Sequence, residues 1–354
     1  MSKEYKEYRE NRENKDYAGK LKYVGNKNQL FSVKNYVMTD GRANNLRAID
    51  IVNGKGLVMT VFPDRCMDIY QLIYKDTNMS YITAAGAVHP SYYDNRGIEF
   101  LRSFFAGFLT TCGLETICNP SEDNGEELGQ HGRISNAPAD NFYVRIIEDN
   151  TESGEPEILI TGTMTQARLF GDKYSLTREI KVYTNENKFE IRDVVKNTGY
   201  KKSPHMILYH LNYGYPFLDE NIEINIPSAE TLPVDDYAAK DLDKWDKFNT
   251  PQKDTDEQCY YHKLKTDENG YAKYSLYNPK LNKGVSVRYD AKTLDYFIEW
   301  KMPGEGDYVL GLEPGNARGG GRKKNREDGV LKFLEPMEEV RYHIEVTLSD
   351  DRQG

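Results

Sequence analysis

Apolar and polar residues alternate along much of this chain with a period of two. Because successive side chains of a β-strand point to opposite faces, this pattern predicts strands with one buried face. The clearest examples lie at 176–182, 188–192 and 342–349. Further strands are predicted at 56–62, 141–149, 156–166, 205–212, 284–290, 296–302 and 307–313.

Turn signals separate these segments and indicate the fold class. Asn-Gly pairs occur at 53–54 and 269–270, and such pairs are typical of tight turns between strands. One short helix is expected at 241–248, and the Gly-rich stretch 318–322 is expected to be a flexible loop between two late strands. Many strands and few helices predict an all-β fold, a large antiparallel β-sandwich with few short helices.

Length and composition indicate how the chain is organised. The chain has 354 residues, of which 38% are hydrophobic, enough to form a sizeable core. It contains no fixed repeat and no Pro- or Ser-rich linker, so we expect one sandwich domain over 21–354 after a polar N-terminal arm at 1–20. The 27 Tyr residues suit sugar binding, because the ring is apolar and its tip is polar.

Charge and cysteine usage exclude several classes of protein. The net charge of -9 is spread along the chain, whereas a nucleic-acid binder presents a basic face. The N-terminus has no apolar leader and no run of 18 apolar residues occurs, so we expect a cytoplasmic protein that does not insert into a membrane. The four Cys form no Cys-x-x-Cys pair, which favours core thiols over a redox motif or a zinc site.

His131 is the first candidate for chemistry. It lies in the motif Gly-Gln-His-Gly-Arg at 129–133, where glycine permits close backbone approach or an unusual φ. Arg133 adds a fixed fork of donors for hydroxyls or an anion, and the imidazole can gain or lose a proton near neutrality. The alternative is a turn that happens to contain a histidine.

His210 is the second candidate. It lies in a predicted strand, and Asn212 shares its parity, so both side chains are expected on one face near a Tyr- and Gly-rich turn. A histidine and an amide in this arrangement are typical of a polar site at a sheet rim. The alternative is a core histidine that hydrogen-bonds to backbone.

Glu313 is the third candidate. It ends a strongly apolar strand, immediately before a Pro-Gly turn. A carboxylate at the end of a buried strand is desolvated, which raises its pKa and makes it a better base. The alternative is an exposed turn residue. The three candidates are far apart in sequence, so only the fold could bring them together.

Three ordered motifs resemble a known superfamily. His-Gly-Arg at 131–133, Leu-Tyr-His-Leu-Asn-Tyr-Gly at 208–214 and Gly-Leu-Glu-Pro-Gly-Asn-Ala at 311–317 resemble the aldose 1-epimerase (galactose mutarotase-like) superfamily. The chain is most similar to the DUF4432 branch. The resemblance covers roughly residues 25–350 and is supported by the segments 63–69, 105–114 and 193–199.

The resemblance implies a β-supersandwich with a sugar cleft and a role for each motif. Glu313 looks like the general base that takes the proton of the anomeric hydroxyl, and His210 looks like the general acid that protonates the ring oxygen. His131 looks like a second imidazole that holds the ring oxygen or a neighbouring hydroxyl. Arg102 matches the family's substrate-binding arginine. The implied activity is interconversion of sugar anomers by ring opening and closure, with no cofactor and no metal.

One departure from the family pattern bears on the substrate. The His-Gly-Gly type turn of ordinary mutarotases is His-Gly-Arg here. The extra arginine motivates the hypothesis of an anionic or modified sugar, bound by Arg133 and by Arg65 or Arg318.

Other functions stay open at this point. A non-catalytic sugar-binding or sensing protein on the same fold would not need an acid and a base. Another carbohydrate enzyme, such as a lyase or a different sugar isomerase, would make a new product rather than an anomer. The expected partner is a small sugar, without nucleic acid or membrane, and a homo-oligomer is left open.

Overall fold

The computed structural model describes residues 17–148 and 154–352. Within these ranges no helix is long and apolar enough to cross a membrane. Short 3₁₀ helices lie at Lys27–Gln29, Gly41–Ala43, Pro90–Tyr92, Glu99–Arg102, Ile134–Asn136 and Leu242–Lys244. The α-helices are α1 (Tyr17–Leu21), α2 (Asp236–Ala239) and α3 (Gly321–Glu327).

Strands dominate the described residues. Their bounds, in chain order, are β1 (Ser32–Val37), β2 (Arg47–Val52), β3 (Leu57–Phe62), β4 (Asp68–Tyr74), β5 (Thr77–Asn78), β6 (Tyr81–Ile82), β7 (Ala106–Gly107), β8 (Leu109–Leu114), β9 (Ser121–Asp123), β10 (Glu126–Leu128), β11 (Ala139–Ile147), β12 (Glu157–Ala167), β13 (Lys173–Tyr183), β14 (Lys188–Asn197), β15 (Ser203–Pro204), β16 (Met206–Gly214), β17 (Glu223–Asn225), β18 (Ser228–Pro233), β19 (Gln258–Leu264), β20 (Tyr271–Asn278), β21 (Lys283–Asp290), β22 (Tyr296–Pro303), β23 (Tyr308–Gly315), β24 (Phe333–Leu334) and β25 (Glu339–Ser349).

Three large antiparallel sheets carry the fold. The eight-stranded sheet has the order β11-β12-β13-β14-β25-β21-β20-β17, and the six-stranded sheet has the order β18-β19-β22-β23-β16-β8. A five-stranded sheet runs β1-β2-β3-β4-β5. The pairs β9–β10, β6–β7 and β15–β24 are small antiparallel additions.

The period-two patterns are confirmed as half-buried strands. In β13, buried and half-buried residues alternate along the whole strand, as the spacing of Leu176, Ile180 and Val182 predicts. The buried faces of the eight-stranded and six-stranded sheets meet in one large hydrophobic cluster. Tyr274 of β20 shows this contact, because its ring lies 5.3 Å from that of Phe297 on β22. The predicted all-β antiparallel fold is therefore confirmed.

Strand β16 is covered on both faces, and all of its residues are buried. Tyr209, Leu211 and Tyr213 belong to the core shared with the eight-stranded sheet. The opposite parity, which includes His210, faces away from that core. A polar side chain on this second face is therefore shielded from bulk water, and it needs hydrogen-bond partners on that face of the sheet or from a bound ligand.

The helix predicted at 241–248 is wrong, apart from one 3₁₀ turn at Leu242–Lys244. Lys301 of β22 explains the interruption, because its Nζ donates to the backbone oxygens of Lys244 and Trp245 at 3.0 Å each. Those carbonyls would otherwise accept bonds within a continuing helix. The α-helix forms earlier, at α2, where Asp235 caps the N-terminus through Ala238 N at 2.8 Å.

The loop predicted at 318–322 is correct only in part, because 318–320 form a loop after β23 but α3 begins at Gly321. Arg322 is buried and its Nε donates to Asp123 at 2.7 Å. Arg326 of the same helix contacts Asp123 as well, at 2.7 Å. These ion pairs fix the helix against β9, a long-range interaction that glycine content does not reveal.

The predicted N-terminal arm is described only at its end. Residues 1–16 lie outside the described residues. Tyr17 is buried in the main cluster beside Phe31, so the chain packs on the sandwich before the predicted boundary at residue 21. The single domain over 21–354 stays a prediction.

Candidate functional site

A cavity of about 850 Å³ opens on the face of the six-stranded sheet that points away from the core. Its floor includes His210 of β16, Trp300 of β22 and Glu313 of β23. Loops before and after β8 contribute Phe104 and His131 to the wall. The cavity is large enough for a monosaccharide, and it joins apolar rings to a few polar groups, as small-molecule sites generally do.

Strand register brings His210 and Glu313 together. The pairing of Leu211 with Leu312 between β16 and β23 sets His210 opposite Glu313. His210 Nε2 lies 3.2 Å from Glu313 Oε1, and both side chains are almost fully buried. Strand register therefore brings together two groups that are far apart in sequence.

Gly311 makes the convergence sterically feasible. A Cβ at this position would lie 2.7 Å from Glu313 Oε1 and 3.0 Å from Trp300 Cε3. It would also approach His210 Cε1 to 3.3 Å. Any larger residue would push these three side chains apart.

His131 completes the histidine pair on the cavity wall. Its ring lies 5.5 Å from that of His210 in an edge-to-face arrangement. The backbone N–H of Cys118 donates to His131 Nδ1 at 3.3 Å, so the neutral ring carries its proton on Nε2. Its backbone has a φ of 57°, and the following Gly132 is essential, because a Cβ there would lie 2.2 Å from Gly113 O.

Burial controls the charge of all three groups. Burial lowers the pKa of His210 well below its usual range, and the nearby His131 lowers it further. Burial raises the pKa of Glu313 well above its usual range, and Glu257 adds to this rise. Burial also lowers the pKa of His131 to about 4. The low dielectric therefore favours a neutral His210 beside a protonated Glu313.

In the pair formed by His210 and Glu313, two polar atoms lack hydrogen-bond partners among the described residues, namely His210 Nδ1 and Glu313 Oε1. The 3.2 Å contact between the side chains is close but is not aligned as a hydrogen bond. Buried polar groups without partners are costly to stability and concentrate at functional sites. The arrangement can give one proton and accept another within a short distance.

The sequence reasoning missed several lining residues. Trp300 packs its ring 5.3 Å from that of His210, and its Nε1 donates to Glu257 at 2.7 Å. Tyr81 donates its hydroxyl proton to Asp307 at 2.9 Å. The available signal was the single Trp in the predicted strand 296–302, since aromatic rings commonly stack on sugars.

The four predicted substrate-binding residues, Arg65, Arg102, Arg133 and Asn212, all lie outside the cavity lining. The Arg65 guanidinium is fully buried and donates to the backbone oxygens of Val88, Ser103 and Ser135. Arg102 projects into solvent and pairs with Glu99 at 2.6 Å. Arg65 and Arg102 are therefore left out of the proposed site.

Arg133 and Asn212 are also placed elsewhere. Arg133 lies in a separate acidic depression, where its Nε is 3.4 Å from Glu115. Asn212 is fully buried and donates its amide protons to the backbone oxygens of Ala106 and His210. Asn212 thus supports the strand beneath His210 rather than lining the cavity.

Metal chemistry has no obvious site in the described ranges, where no group of three or more His, Cys, Asp or Glu side chains could hold an ion.

The thiols differ in position: Cys66 and Cys112 are buried in the core as predicted, whereas Cys118 and Cys259 line the cavity. All four cysteines are free. The predicted absence of a cofactor stays a prediction.

A comparison with protein families assigns most of the chain. Residues 43–348 match the family described as Domain of unknown function (DUF4432). The chain belongs to the DUF4432 family. A search of the curated proteins finds none that matches this DUF4432 chain.

Solved structures similar to this DUF4432 protein share its fold. A Klebsiella pneumoniae subsp. pneumoniae protein, provisionally named an aldose 1-epimerase, is 25% identical with a TM-score of 0.84, covering 92% of this chain and 87% of that one. A galactose mutarotase-like protein from Clostridium acetobutylicum is 13% identical with a TM-score of 0.62, covering 91% and 99%. A galactose 1-epimerase from Lactobacillus acidophilus is 12% identical with a TM-score of 0.58, covering 90% and 99%. The DUF4432 chain therefore has the galactose mutarotase-like fold, as the resemblance predicts.

Proposed function

We propose that this DUF4432 protein is an isomerase of the aldose 1-epimerase type, which interconverts the two anomers of a sugar. The observation that carries the proposal is the 3.2 Å contact between His210 Nε2 and Glu313 Oε1 in the lining of the 850 Å³ cavity. The reaction requires one acid and one base within reach of the same substrate. The provisional aldose 1-epimerase name of the Klebsiella protein agrees with this reading.

The chemistry needs only proton transfer. A base takes the proton of the anomeric hydroxyl while an acid protonates the ring oxygen, and the bond between C1 and the ring oxygen breaks. The C1–C2 bond of the open aldehyde then rotates. Closure returns both protons in the reverse sense and leaves the other anomer.

The pair carries out this cycle with one shared proton. The resemblance assigns Glu313 as base and His210 as acid, which requires a carboxylate and an imidazolium. Burial favours the neutral form, in which Glu313 carries the proton and His210 is the base. Either form contains one donor and one acceptor, and ring opening followed by closure restores the starting form.

His131 positions the sugar in this proposal. Its Nδ1 is engaged by the Cys118 backbone, so a neutral ring has an Nε2–H to donate to a sugar hydroxyl or ring oxygen. Its lowered pKa, about 4, keeps it neutral beside the catalytic pair. A neutral donor avoids placing a second positive charge near His210.

The competing functions differ in one structural requirement. A sugar-binding or sensing protein does not need an acid beside a base, and the convergence of His210 and Glu313 in one cavity favours the enzyme. The anionic substrate was expected from Arg133 with Arg65 or Arg318, and none of these three arginines lines the cavity. The proposal therefore does not retain an anionic sugar.

Exchange NMR on a panel of aldoses tests the proposed function. We expect the protein to accelerate exchange between α and β anomer signals of at least one sugar, without an added cofactor and without a new product. Binding of a sugar with no acceleration would instead identify a binding protein. A new set of product signals would identify a different carbohydrate enzyme.

The cytoplasmic location stays a prediction.

A further inference from the structure

We propose that the cavity selects aldoses by charge, preferring those with an ammonium group over neutral sugars and disfavouring those with a carboxylate, phosphate or sulfonate. The identification of the ligand as an aldose rests on the proposed function. The charge preference rests on separate observations at the cavity rim, defined here as Asp256, Glu257 and Asp307. It reverses the anionic sugar expected from the sequence.

The charged residues that line the cavity are all acidic. The three rim carboxylates share the lining with the buried Glu313, and no Lys or Arg among the described residues contributes to it. The rim side chains belong to exposed residues, whereas Glu313 is only 3% exposed. A sugar in the cavity therefore has three exposed acidic groups in the same lining as the catalytic pair.

Two of the rim carboxylates accept hydrogen bonds from uncharged donors. Glu257 accepts a hydrogen bond from Trp300 Nε1 at 2.7 Å, and Asp307 accepts one from the Tyr81 hydroxyl at 2.9 Å. These bonds orient the carboxylates without cancelling their charge. No Lys or Arg in the described part of the chain forms an ion pair with any of the three.

The cations nearest in sequence to the lining residues do not line the cavity themselves. Arg102 follows the lining residue Leu101 but pairs with Glu99, and Arg318 precedes the lining residue Gly319 but places its guanidinium over Tyr296 at 5.7 Å. Lys253 lines a neighbouring depression together with Asp254, Glu305 and the rim residue Asp307, and it does not line the cavity itself. The negative potential of the rim is therefore not offset by cations in the lining.

The expected magnitude follows from the exposure of the rim. Exposed charge pairs contribute little individually, so each rim carboxylate should change the dissociation constant about two- to fivefold. Three together should separate a cationic from a neutral sugar by about ten- to a hundredfold. The preference should weaken as salt increases, because exposed charges are screened.

The test compares sugars that differ at one position. Glucose, 6-amino-6-deoxyglucose and glucuronate share a ring and differ at C6, and the galactose series repeats the comparison. Calorimetry measures binding, and exchange NMR measures anomer conversion of the same samples. We expect the amino sugar to bind most tightly and the uronate least tightly in at least one series, with the difference shrinking at high salt.

Matched variants assign the effect to the rim. The triple variant Asp256→Asn, Glu257→Gln and Asp307→Asn keeps hydrogen-bond acceptors for Trp300 and Tyr81 but removes the charge, and it should abolish the ranking. Glu268→Gln changes an exposed carboxylate in a turn outside the lining and should leave the ranking intact.

Two results would overturn the charge preference: a uronate that binds as tightly as the amino sugar, or a ranking that survives in the triple variant. Failure to bind any amino sugar would overturn it as well. A rim-dependent preference in binding without anomer exchange would leave the charge preference standing and remove the proposed isomerase. Anomer exchange at equal rates on cationic, neutral and anionic sugars, with equal binding of all three, would support the proposed isomerase and remove the charge preference.

Discussion

Two buried His–Glu pairs lie on the same six-stranded sheet. His210 and Glu313 join β16 to β23 at 3.2 Å, and His262 and Glu299 join β19 to β22 at 3.0 Å. In both pairs Nε2 of the histidine faces a carboxylate oxygen, and burial raises the pKa of each glutamate. Residue type, distance and burial therefore do not distinguish the two pairs.

Their surroundings do distinguish them. Both ring nitrogens of His262 have partners, since Nδ1 contacts Thr231 Oγ1 at 3.1 Å and Nε2 is hydrogen-bonded to Glu299. The ring is covered by Trp245 at 4.9 Å. His210 Nδ1 has no partner among the described residues, and its pair lines the large cavity. Access to a ligand, rather than the pair itself, makes a candidate site.

The largest expected effect is the loss of activity in His210→Asn. Removal of the imidazole from the catalytic pair should lower anomer exchange roughly 10²–10⁴-fold. The melting temperature should change little, because the replaced ring has an unpartnered nitrogen. Exchange NMR and thermal unfolding measure the two properties. Retention of at least a tenth of the activity would show that His210 is not the proton-transfer partner.

The next effect is on stability and belongs to the second pair. His262→Ala leaves Glu299 buried without its partner, and we expect it to lower the free energy of unfolding by about 3 kcal/mol. Activity per folded molecule should stay within twofold of wild type, because His262 does not line the cavity. Urea unfolding with parallel exchange NMR checks both. A large loss of activity without a loss of stability would reverse the roles of the pairs.

The pH dependence sharpens the comparison further. The active pair holds one proton: the raised pKa of Glu313 keeps that proton bound as pH rises, and the lowered pKa of His210 excludes a second proton as pH falls. We therefore expect a level rate across neutral pH, falling about tenfold per pH unit beyond each limit. The same profile should appear in His262→Asn. A single transition near pH 6.5, the usual histidine pKa, would contradict a coupled pair.

The smallest expected effect is that of Trp300→Phe. Phe keeps an aromatic ring beside His210 but loses the 2.7 Å bond from Nε1 to Glu257. We expect KM to rise about two- to fivefold, since one exposed hydrogen bond contributes on the order of 1 kcal/mol. The turnover rate should change less than twofold. A larger loss in turnover than in KM would place Trp300 in the chemical step.

Much of the fold was predictable because burial of one sheet face imprints a period of two. The patterns at 176–182 and 342–349 became β13 and β25, which lie in the same sheet with β14 between them. The absence of a helix at 241–248 was not predictable, because Lys301 of another strand donates hydrogen bonds to the carbonyls of Lys244 and Trp245. At this segment a tertiary contact overrides the local helix propensity.

The candidate site was predictable only in part. His131, His210 and Glu313 were named from motifs, and they all line one cavity. Trp300 and Glu257 were missed because their approach to His210 and Glu313 depends on the register of β22 against β23 and of β19 against β22, and on the missing side chain of Gly311. The alternation of residues along β16 placed Asn212 on the same face as His210. It could not show that the Asn212 amide would donate its protons to backbone carbonyls.

The most direct test of the central claim compares Glu313→Gln with Glu299→Gln. Each variant removes one carboxyl from a buried His–Glu pair on the same sheet with almost no change in volume. We expect Glu313→Gln to lower anomer exchange by at least about 100-fold and to keep or raise the melting temperature, whereas Glu299→Gln should keep full exchange. Equal exchange rates in the two variants would contradict the assignment of the catalytic pair to His210 and Glu313.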